Sequence, residues 1–168
     1  MNEIELIMPT KAHEADAKAY LQAHFDYGEP GLHGSGGLDD AKSYDEWLDR
    51  LDRMLTADIR SHTFFAIRQS DQKLIGTINI RYPYEGYVQR YGHIGYGIHP
   101  DARRQGYATM MLGQALGFCK QAGLEKVLLV CDKENPASAK TIIKCGGVLD
   151  REALMDDGEM EQRYWIAL

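Results

Sequence analysis

The sequence has few cysteines, no long apolar run and no recognisable metal-binding pair. None of its apolar runs approaches the ~18 residues that a transmembrane helix needs, so we expect no membrane partner. The three cysteines form no C-x-x-C pair and the six histidines form no H-E-x-x-H pair, which predicts neither a disulfide framework nor a metal site. Near the start, Glu3 and the lack of an apolar signal segment predict a cytoplasmic protein with reduced thiols.

Length and composition favour one globular domain of ordinary size. The chain has 168 residues, of which 44% are hydrophobic and 26% charged, so it can bury a core without disulfides or metals. Its formal net charge of −6 argues against a nucleic-acid partner, because binding along a phosphate backbone needs an excess of basic residues. We therefore expect a single domain over residues 1–168 and no nucleic-acid surface.

Hydrophobic periodicity and capping residues predict a mixed α/β domain. Thr10, Ser43 and Asn135 are placed to cap helices, and Gly123 is placed to end one. Residues 28–40 are rich in glycine, which predicts a mobile loop, either on the substrate side or as a plain surface connector. The predicted strands lie over residues 4–8, 63–68, 74–80, 93–98, 126–131, 148–155 and 160–166, and the predicted helices over residues 11–25, 43–57, 106–122 and 136–144.

The segment that carries chemistry joins a strand to a helix through a loop rich in arginine and glycine. Arg103 and Arg104 follow the end of the strand, and Gly106 opens the helix. Because helix N-termini expose unpaired N–H groups and glycine lets a ligand approach the backbone, the loop predicts a pocket for one small polyphosphate. The sequence contains neither G-x-G-x-x-G nor G-x-x-x-x-G-K-[ST] here, so it is not a Rossmann fingerprint or a P-loop.

The segment Arg103-Arg104-Gln105-Gly106-Tyr107-Ala108 resembles the coenzyme A loop, R/Q-x-x-G-x-G/A, of the GNAT superfamily of N-acetyltransferases. The hydrophobic-x-Pro at residues 98–100, the Asn-Pro-Ala-Ser at residues 135–138 and the Gly-Gly at residues 146–147 agree with that family in order and spacing. GHIGY, HPDARRQGYAT and CDKENPAS resemble a bacterial branch of predicted acetyltransferases. The resemblance covers residues 75–166, and residues 1–62 match only in element order.

The resemblance implies a GNAT-like α/β (α+β) fold with flanking helices. Its mixed, mostly antiparallel central sheet would have about seven strands, the fourth and fifth splayed apart. It implies acetyl-CoA as cosubstrate, no metal, and acetyl transfer to a primary amine of a small molecule or peptide. A backbone N–H near Ile98 would polarise the thioester carbonyl. The residues implied to bind the cosubstrate are Tyr96, Gly97, Ile98, Arg103, Arg104, Gln105, Gly106, Tyr107, Ala108, Thr109, Asn135 and Ser138.

The groups for proton transfer depart from the family's pattern. Many members carry a tyrosine, seven residues after the asparagine, that protonates the leaving thiolate, and the matching position here is Ile142. Tyr164 or a water molecule is then the candidate acid. His93 and Glu85 are the candidate bases, although strand alternation argues against His93 facing the ligand.

The acceptor is not specified by any motif. Residues 26–42 and 81–92 are its expected walls, with His33 and Trp47 as candidates to line it. The tyrosines of residues 81–92, together with Glu85, predict an aromatic, mildly acidic mouth that suits a cationic amine. Two other functions stay open, a non-catalytic acyl-CoA-binding module and an unrelated nucleotide-binding protein, and a homodimer is the oligomer to test for.

Overall fold

A computed structural model describes residues 3–168, which form seven strands and five α-helices. The elements follow the predicted order with boundaries that move by a few residues. The strands are β1 (Ile4–Ile7), β2 (Arg60–Arg68), β3 (Lys73–Tyr82), β4 (Ile94–Ile98), β5 (Lys126–Asp132), β6 (Val148–Leu154) and β7 (Met160–Ala167). The helices are α1 (Glu14–Asp26), α2 (Tyr44–Met54), α3 (Tyr87–Tyr91), α4 (Tyr107–Gln121) and α5 (Pro136–Lys144).

The strands form two antiparallel sheets that separate between β4 and β5. One sheet has the order β1-β2-β3-β4 and the other the order β5-β7-β6. Across residues 3–168 no ladder joins β4 to β5, and the strands meet only at an isolated bridge between Gly92 and Leu129, just before β4. The predicted GNAT-like α/β fold, with its fourth and fifth strands splayed, is confirmed. The single mixed sheet of about seven strands is corrected to two antiparallel sheets of four and three strands, because the splay interrupts the pairing between β4 and β5.

Local capping explains where the helices begin. The Ser43 side chain accepts a hydrogen bond from Glu46 N at 3.1 Å, and Asn135 Oδ1 accepts one from Ser138 N at 3.2 Å. Each bond satisfies an N–H that the first turn leaves without a carbonyl partner. The helix predicted from residue 11 begins instead as a 3₁₀ turn over Lys11–His13 and becomes α-helical at Glu14.

The second difference from prediction is α3, which lies in a stretch expected to contain only turns. It spans five residues between Gly86 and Gly92, which both have positive φ values, 47° and 87°. A helix of little more than one turn shows no apolar repeat in the sequence, because that signal needs several turns to emerge.

Two apolar clusters hold the layers together. The larger cluster packs α4 and α5 against β3, β4 and β5 and includes Met111 and Ile142, both fully buried. The smaller cluster centres on Trp47 of α2, whose ring stacks on Phe65 with centroids 5.6 Å apart. Trp47 is fully buried, so the prediction that it lines the acceptor site is wrong: its apolar ring serves the core.

The cysteines are free thiols, as expected. Cys119 and Cys131 are buried and Cys145 is partly buried. Burial raises the pKa of Cys119 to about 12 and that of Cys131 to about 11, which keeps both thiols protonated near neutral pH. Among residues 3–168, no helix has the length and apolar character needed to span a membrane. That same stretch holds no cluster of three or more His, Cys, Asp and Glu side chains able to bind a metal ion.

Candidate functional site

The separation of β4 from β5 opens into a cavity of about 1470 Å³. At one end it reaches the loop at residues 103–106 and the first turns of α4 and α5. At the other end it is bounded by α2, α3 and the glycine-rich loop at residues 28–40. We call these ends the loop half and the acceptor half. The cavity therefore runs between the two sheets and connects the predicted phosphate-binding loop to the predicted acceptor walls.

The backbone of the loop half is shaped to bind an anion. Arg104 has a φ of 61° and Gly106 a φ of 85°, and this left-handed backbone is unusual for arginine. Gly106 precedes α4 without any side-chain cap, so the first N–H groups of the helix stay available. Free amides, the positive end of the helix dipole and a glycine with open space around it provide the features that bind phosphate groups.

The two arginines of this loop have different environments. Arg103 Nη2 lies 2.5 Å from Glu29 Oε1, and Arg103 Nε donates to the Ile98 carbonyl at 3.1 Å. Arg104 is exposed and forms no ion pair within the described part of the chain. The Arg103 guanidinium therefore ties the loop to residue 29 and to β4, and of the two arginines Arg104 is the one without a carboxylate partner in residues 3–168.

The edge of β4 that faces the cavity carries unused donors. Arg81 N donates to the His93 carbonyl and His99 N donates to the Ile75 carbonyl, so Gly95 and Gly97 between them also bond toward β3, although the His93 N–H itself donates to the Leu128 carbonyl of β5. By antiparallel alternation, the N–H groups of Tyr96 and Ile98 point the other way, into the opening between the sheets. An extended ligand can add to this edge as a further strand would.

The Tyr96 side chain crosses the cleft, a contact that sequence reasoning missed. Its hydroxyl lies 2.9 Å from Ser138 Oγ in the first turn of α5. Burial raises the pKa of Tyr96 to about 12, so the phenol stays protonated near neutral pH. The alternation of Ile94, Tyr96 and Ile98 on one strand face was the available signal, since all three side chains pack against the larger apolar cluster.

The start of α5 brings Asn135, Ser138 and Ile142 to the cavity wall. Asn135 Oδ1 serves as the helix cap, which leaves its amide Nδ2 free to contact a ligand. Ile142 is fully buried and carries no hydroxyl. The hydroxyl groups around it are those of Ser138, one turn earlier, of Tyr96, which bonds to Ser138, and of the adjacent Thr141, whose Oγ1 donates to the Ala137 carbonyl at 3.1 Å.

The three predicted catalytic residues lie outside the lining of this cavity. His93 is buried on another side, where Nδ1 accepts from Leu128 N at 2.8 Å and burial lowers its pKa to about 4. The Tyr164 hydroxyl donates to Gln162 Oε1 at 2.9 Å, and Glu85 is exposed in the turn before α3. A catalytic role for His93, Tyr164 or Glu85 stays a prediction, and the geometry favours other groups.

The glycine-rich loop lies directly over β4. A Cβ on Gly34 would collide with the Gly95 carbonyl oxygen, and a Cβ on Gly97 would lie 3.7 Å from His33 Cβ. Thr77 Oγ1 donates to the His33 carbonyl at 2.9 Å and fixes this approach. The exposed His33 imidazole therefore stands in the acceptor half, close to the strand edge with the unused N–H groups.

The second predicted wall is only partly present. Tyr87 and Tyr91 of α3 line the acceptor half, with ring centroids 4.5 Å apart. Tyr82 and Tyr84 do not: Tyr82 stacks on His62, and Tyr84 stacks on His93. Of the tyrosines and the glutamate predicted to form an aromatic, mildly acidic mouth, only Tyr87 and Tyr91 line the cavity, because the rings of Tyr82 and Tyr84 pack on histidines elsewhere.

Comparisons with known proteins agree with this geometry. Residues 6–148 match the family model described as acetyltransferase (GNAT) domain. The ribosomal-protein-S5-alanine acetyltransferase from Vibrio fischeri superposes with a TM-score of 0.79 at 15% identity, covering 99% of this chain and 94% of that chain. Mutant forms of the spermidine/spermine N-acetyltransferase SpeG from Vibrio cholerae superpose with a TM-score of 0.70 at 16% identity, covering 98% of this chain and 93% of that chain. No curated protein matches the sequence. At these identities the structural matches establish the fold, and the family model identifies the sequence pattern.

Proposed function

The chain belongs to the GNAT acetyltransferase family, and from this premise we propose that it transfers an acetyl group from acetyl-CoA to a primary amine of a small molecule or peptide. The observation that carries the proposal is the meeting of two features in one cleft. The phosphate-binding turn at Arg104 and Gly106 lies at the end of the free β4 edge formed by Tyr96 and Ile98. The family's cosubstrate carries both a pyrophosphate and an extended amide-containing arm, which these two features fit.

The residues present suit the cosubstrate, which supplies the activated acetyl thioester. Backbone amides of residues 104–109 would hold the pyrophosphate, with Arg104 adding charge from the open side. The N–H groups of Tyr96 and Ile98 and the amide of Asn135 would bind the arm. One of the two strand N–H groups would also stabilise the oxyanion that forms on the carbonyl during transfer.

Proton transfer then requires one acceptor and one donor. We propose His33 as the proton acceptor. Its exposed imidazole stands in the acceptor half and can take the proton that the amine loses. We assign the donor to the Tyr96–Ser138 hydroxyl pair, which can protonate the departing thiolate as the carbon–sulfur bond breaks. His33 first passes the proton of the ammonium group to solvent. The neutral amine nitrogen then bonds to the thioester carbon as the carbon–sulfur bond breaks, His33 takes the second proton from nitrogen, and the hydroxyl pair gives one proton to the thiolate and regains one from solvent.

Calorimetry with acetyl-CoA, ATP and NAD, followed by assay of free-thiol release across a panel of amines, tests the proposal. Acetyl-CoA should bind in preference to the other two, and at least one amine should release thiol in step with its own acetylation. Binding of ATP or NAD in place of acetyl-CoA would contradict it. Acetyl-CoA binding with no thiol release from any amine would instead support the non-catalytic binding module that Ile142, as a departure from the family, leaves open.

A further inference from the structure

The acceptor half has a polar floor that contains an arginine. Asn79 and Arg81 of β3 line this half beside Ser61 of β2. Asn79 Nδ2 donates to Ser61 Oγ at 2.6 Å, and Asn79 Oδ1 accepts from Arg81 Nη1 at 3.0 Å. Arg81 Nη1 lies 3.3 Å from the position that a Cβ on Gly95 would occupy. Because Gly95 has no side chain, the Arg81 guanidinium fits beside it, one residue before Tyr96.

All protein partners of the Arg81 guanidinium are neutral. Nε and Nη2 donate to the Gly92 carbonyl at 3.2 and 3.1 Å, and Nη2 also reaches the Tyr91 carbonyl at 3.4 Å. The Tyr87 ring lies 5.1 Å from the guanidinium carbon. A guanidinium has five N–H donors, and Nη1 uses only one of its two, on Asn79. One charged donor on the nitrogen nearest Gly95 therefore has no acceptor among residues 3–168.

The other arginines around the acceptor half are balanced by carboxylates. Arg50 pairs with Asp40 at 2.7 Å. Glu161 accepts from Arg90 at 2.9 Å and from Arg163 at 3.0 Å, so two guanidinium groups already share that carboxylate. Within the described residues Arg81 has no such ion pair. Asp39, beside the glycine-rich loop, is a lining carboxylate that likewise forms no ion pair among residues 3–168; it is exposed and accepts from Leu32 N at 3.0 Å.

Holding the Arg81 charge among neutral partners costs free energy unless an anion pairs with it. Burial lowers the pKa of Arg81, which reflects the cost of holding a full charge away from water. A neutral donor would serve the carbonyl groups of Tyr91 and Gly92 as hydrogen-bond partners without that cost. The retained charge is explained when a ligand in the cavity brings a carboxylate to the spare Nη1 donor, since charge-assisted hydrogen bonds are the stronger ones.

We infer that Arg81 binds the carboxylate of the acceptor and that the acceptor class is free amino acids. The inference rests on the proposed function and narrows its amine. A strand rises ~3.3 Å per residue, so Gly95 lies only one to three residues from the N–H groups of Tyr96 and Ile98. An amine reacting at those N–H groups and a carboxylate at Arg81 are then separated by the few bonds of one small molecule. A polyamine offers no anion to Arg81 and would be repelled by it, whereas Asp39 at the mouth complements the ammonium group of an arriving amino acid.

Turnover of the standard free amino acids is compared with that of the matching amino acid amides and of spermidine, with acetyl-CoA at saturation. The amide keeps the amine and side chain but lacks the carboxylate. Because its amine is also less basic, basicity alone would favour the amide at neutral pH. We expect kcat/KM for the preferred amino acid to exceed that of its amide by about 10- to 100-fold. An amide or spermidine that reacts as well as the best amino acid overturns the inference, and so does failure of every free amino acid to react. In either case acetylation of some other amine would leave the proposed function intact.

Substitution of Arg81 tests whether this side chain causes the preference for the free amino acid over its amide. Arg81→Gln, which keeps hydrogen-bond donors, should lower kcat/KM for the amino acid by about 10- to 100-fold and leave that for the amide nearly unchanged. Arg50→Gln is the matched control, because its charge is already paired, and it should preserve the ratio of acid to amide. The affinity for CoA, measured by calorimetry, should be the same in both variants. Equal losses on acid and amide in Arg81→Gln would show that Arg81 acts only on the structure of the turn at Gly92. The comparison in the unmodified protein decides the acceptor class even where a variant does not fold.

Discussion

The Tyr96 hydroxyl on β4 lies 2.9 Å from Ser138 Oγ on α5, and this contact spans the cleft between the two sheets. It brings an ionisable hydroxyl to the region where many relatives carry a tyrosine and where this chain has Ile142. The two hydroxyl groups come from elements 42 residues apart in sequence. A proton donor is thus assembled by the fold from a strand and a helix cap rather than supplied by one helical position.

Removal of this hydroxyl pair should slow transfer without weakening cosubstrate binding. Tyr96→Phe and Ser138→Ala should each lower kcat, and the double variant should lower it by about 10²- to 10⁴-fold, the usual contribution of a general acid. Steady-state kinetics with one good acceptor measure the effect, and calorimetry with CoA verifies the binding. Tyr164→Phe removes a comparable hydroxyl that donates to Gln162, outside the cavity lining, and should behave as the unmodified protein. A loss of kcat in Tyr164→Phe alone would identify Tyr164, on the last strand, as the general acid.

His33 is expected to accept a proton from the amine, whereas His93 is expected to contribute to the stability of the fold. His33→Gln should lower kcat/KM at neutral pH by about 10²-fold or more, because a protonated amine must lose its proton before it attacks. The loss should shrink at alkaline pH, where the amine deprotonates without help. The control is His62→Gln, which removes a partly buried histidine bonded to Tyr82 and absent from the cavity lining. A uniform loss at every pH in His33→Gln would assign His33 to positioning only.

The sequence predicted the architecture well because local signals determine it. Ser43, Asn135 and Pro136 mark helix starts through their own hydrogen-bonding and backbone chemistry, and these starts agree with the structure to within a residue. The splayed strands followed from the family resemblance, since neither strand carries a residue that forbids their pairing. At the candidate site, the sequence likewise predicted backbone features, because the left-handed turn at Arg104 and Gly106 and the helix start that follows it lie within the predicted loop.

The side-chain part of the site depends on contacts between distant segments. Arg103 reads as a phosphate ligand in the sequence, yet it pairs with Glu29, 74 positions earlier. Arg81 reads as an ordinary strand residue, and its lack of a carboxylate partner emerges only when β3, β4 and α3 are assembled. Charge pairing of this kind has no period along the chain, so neither propensity nor hydrophobic patterning predicts it.

Gly106→Ala tests the phosphate-binding turn with an internal control. Gly106 and Gly158 have nearly equal φ values, 85° and 87°, and no atom lies within 4 Å of an added Cβ at either position. Alanine should destabilise the fold similarly at both, by ~1–2 kcal/mol for the left-handed backbone. Gly158 lies in the hairpin between β6 and β7, whereas the space at Gly106 faces the cavity. Calorimetry should show weaker CoA binding, by about tenfold or more, in Gly106→Ala alone. Equal CoA affinities in the two variants would show that the loop takes no part in CoA binding.

Acid sensitivity of the fold should depend on His93. Its imidazole is buried against Leu128 N, and burial lowers its pKa to about 4 from an ordinary value of ~6.5. Below about pH 6.5 the unfolded chain binds a proton at this position that the folded chain refuses, so the free energy of unfolding falls as the pH drops toward 4. The full shift corresponds to about 3 kcal/mol. His93→Asn keeps an oxygen acceptor near the Leu128 amide but cannot titrate, so it should lose less stability over the same interval. Denaturant unfolding of both proteins at about pH 7.5 and about pH 4 gives the two differences, and the other histidines cancel in the comparison. Parallel losses of stability in the two proteins would mean that His93 already takes up its proton while folded, and that the hydrogen bond from Leu128 N does not hold it neutral.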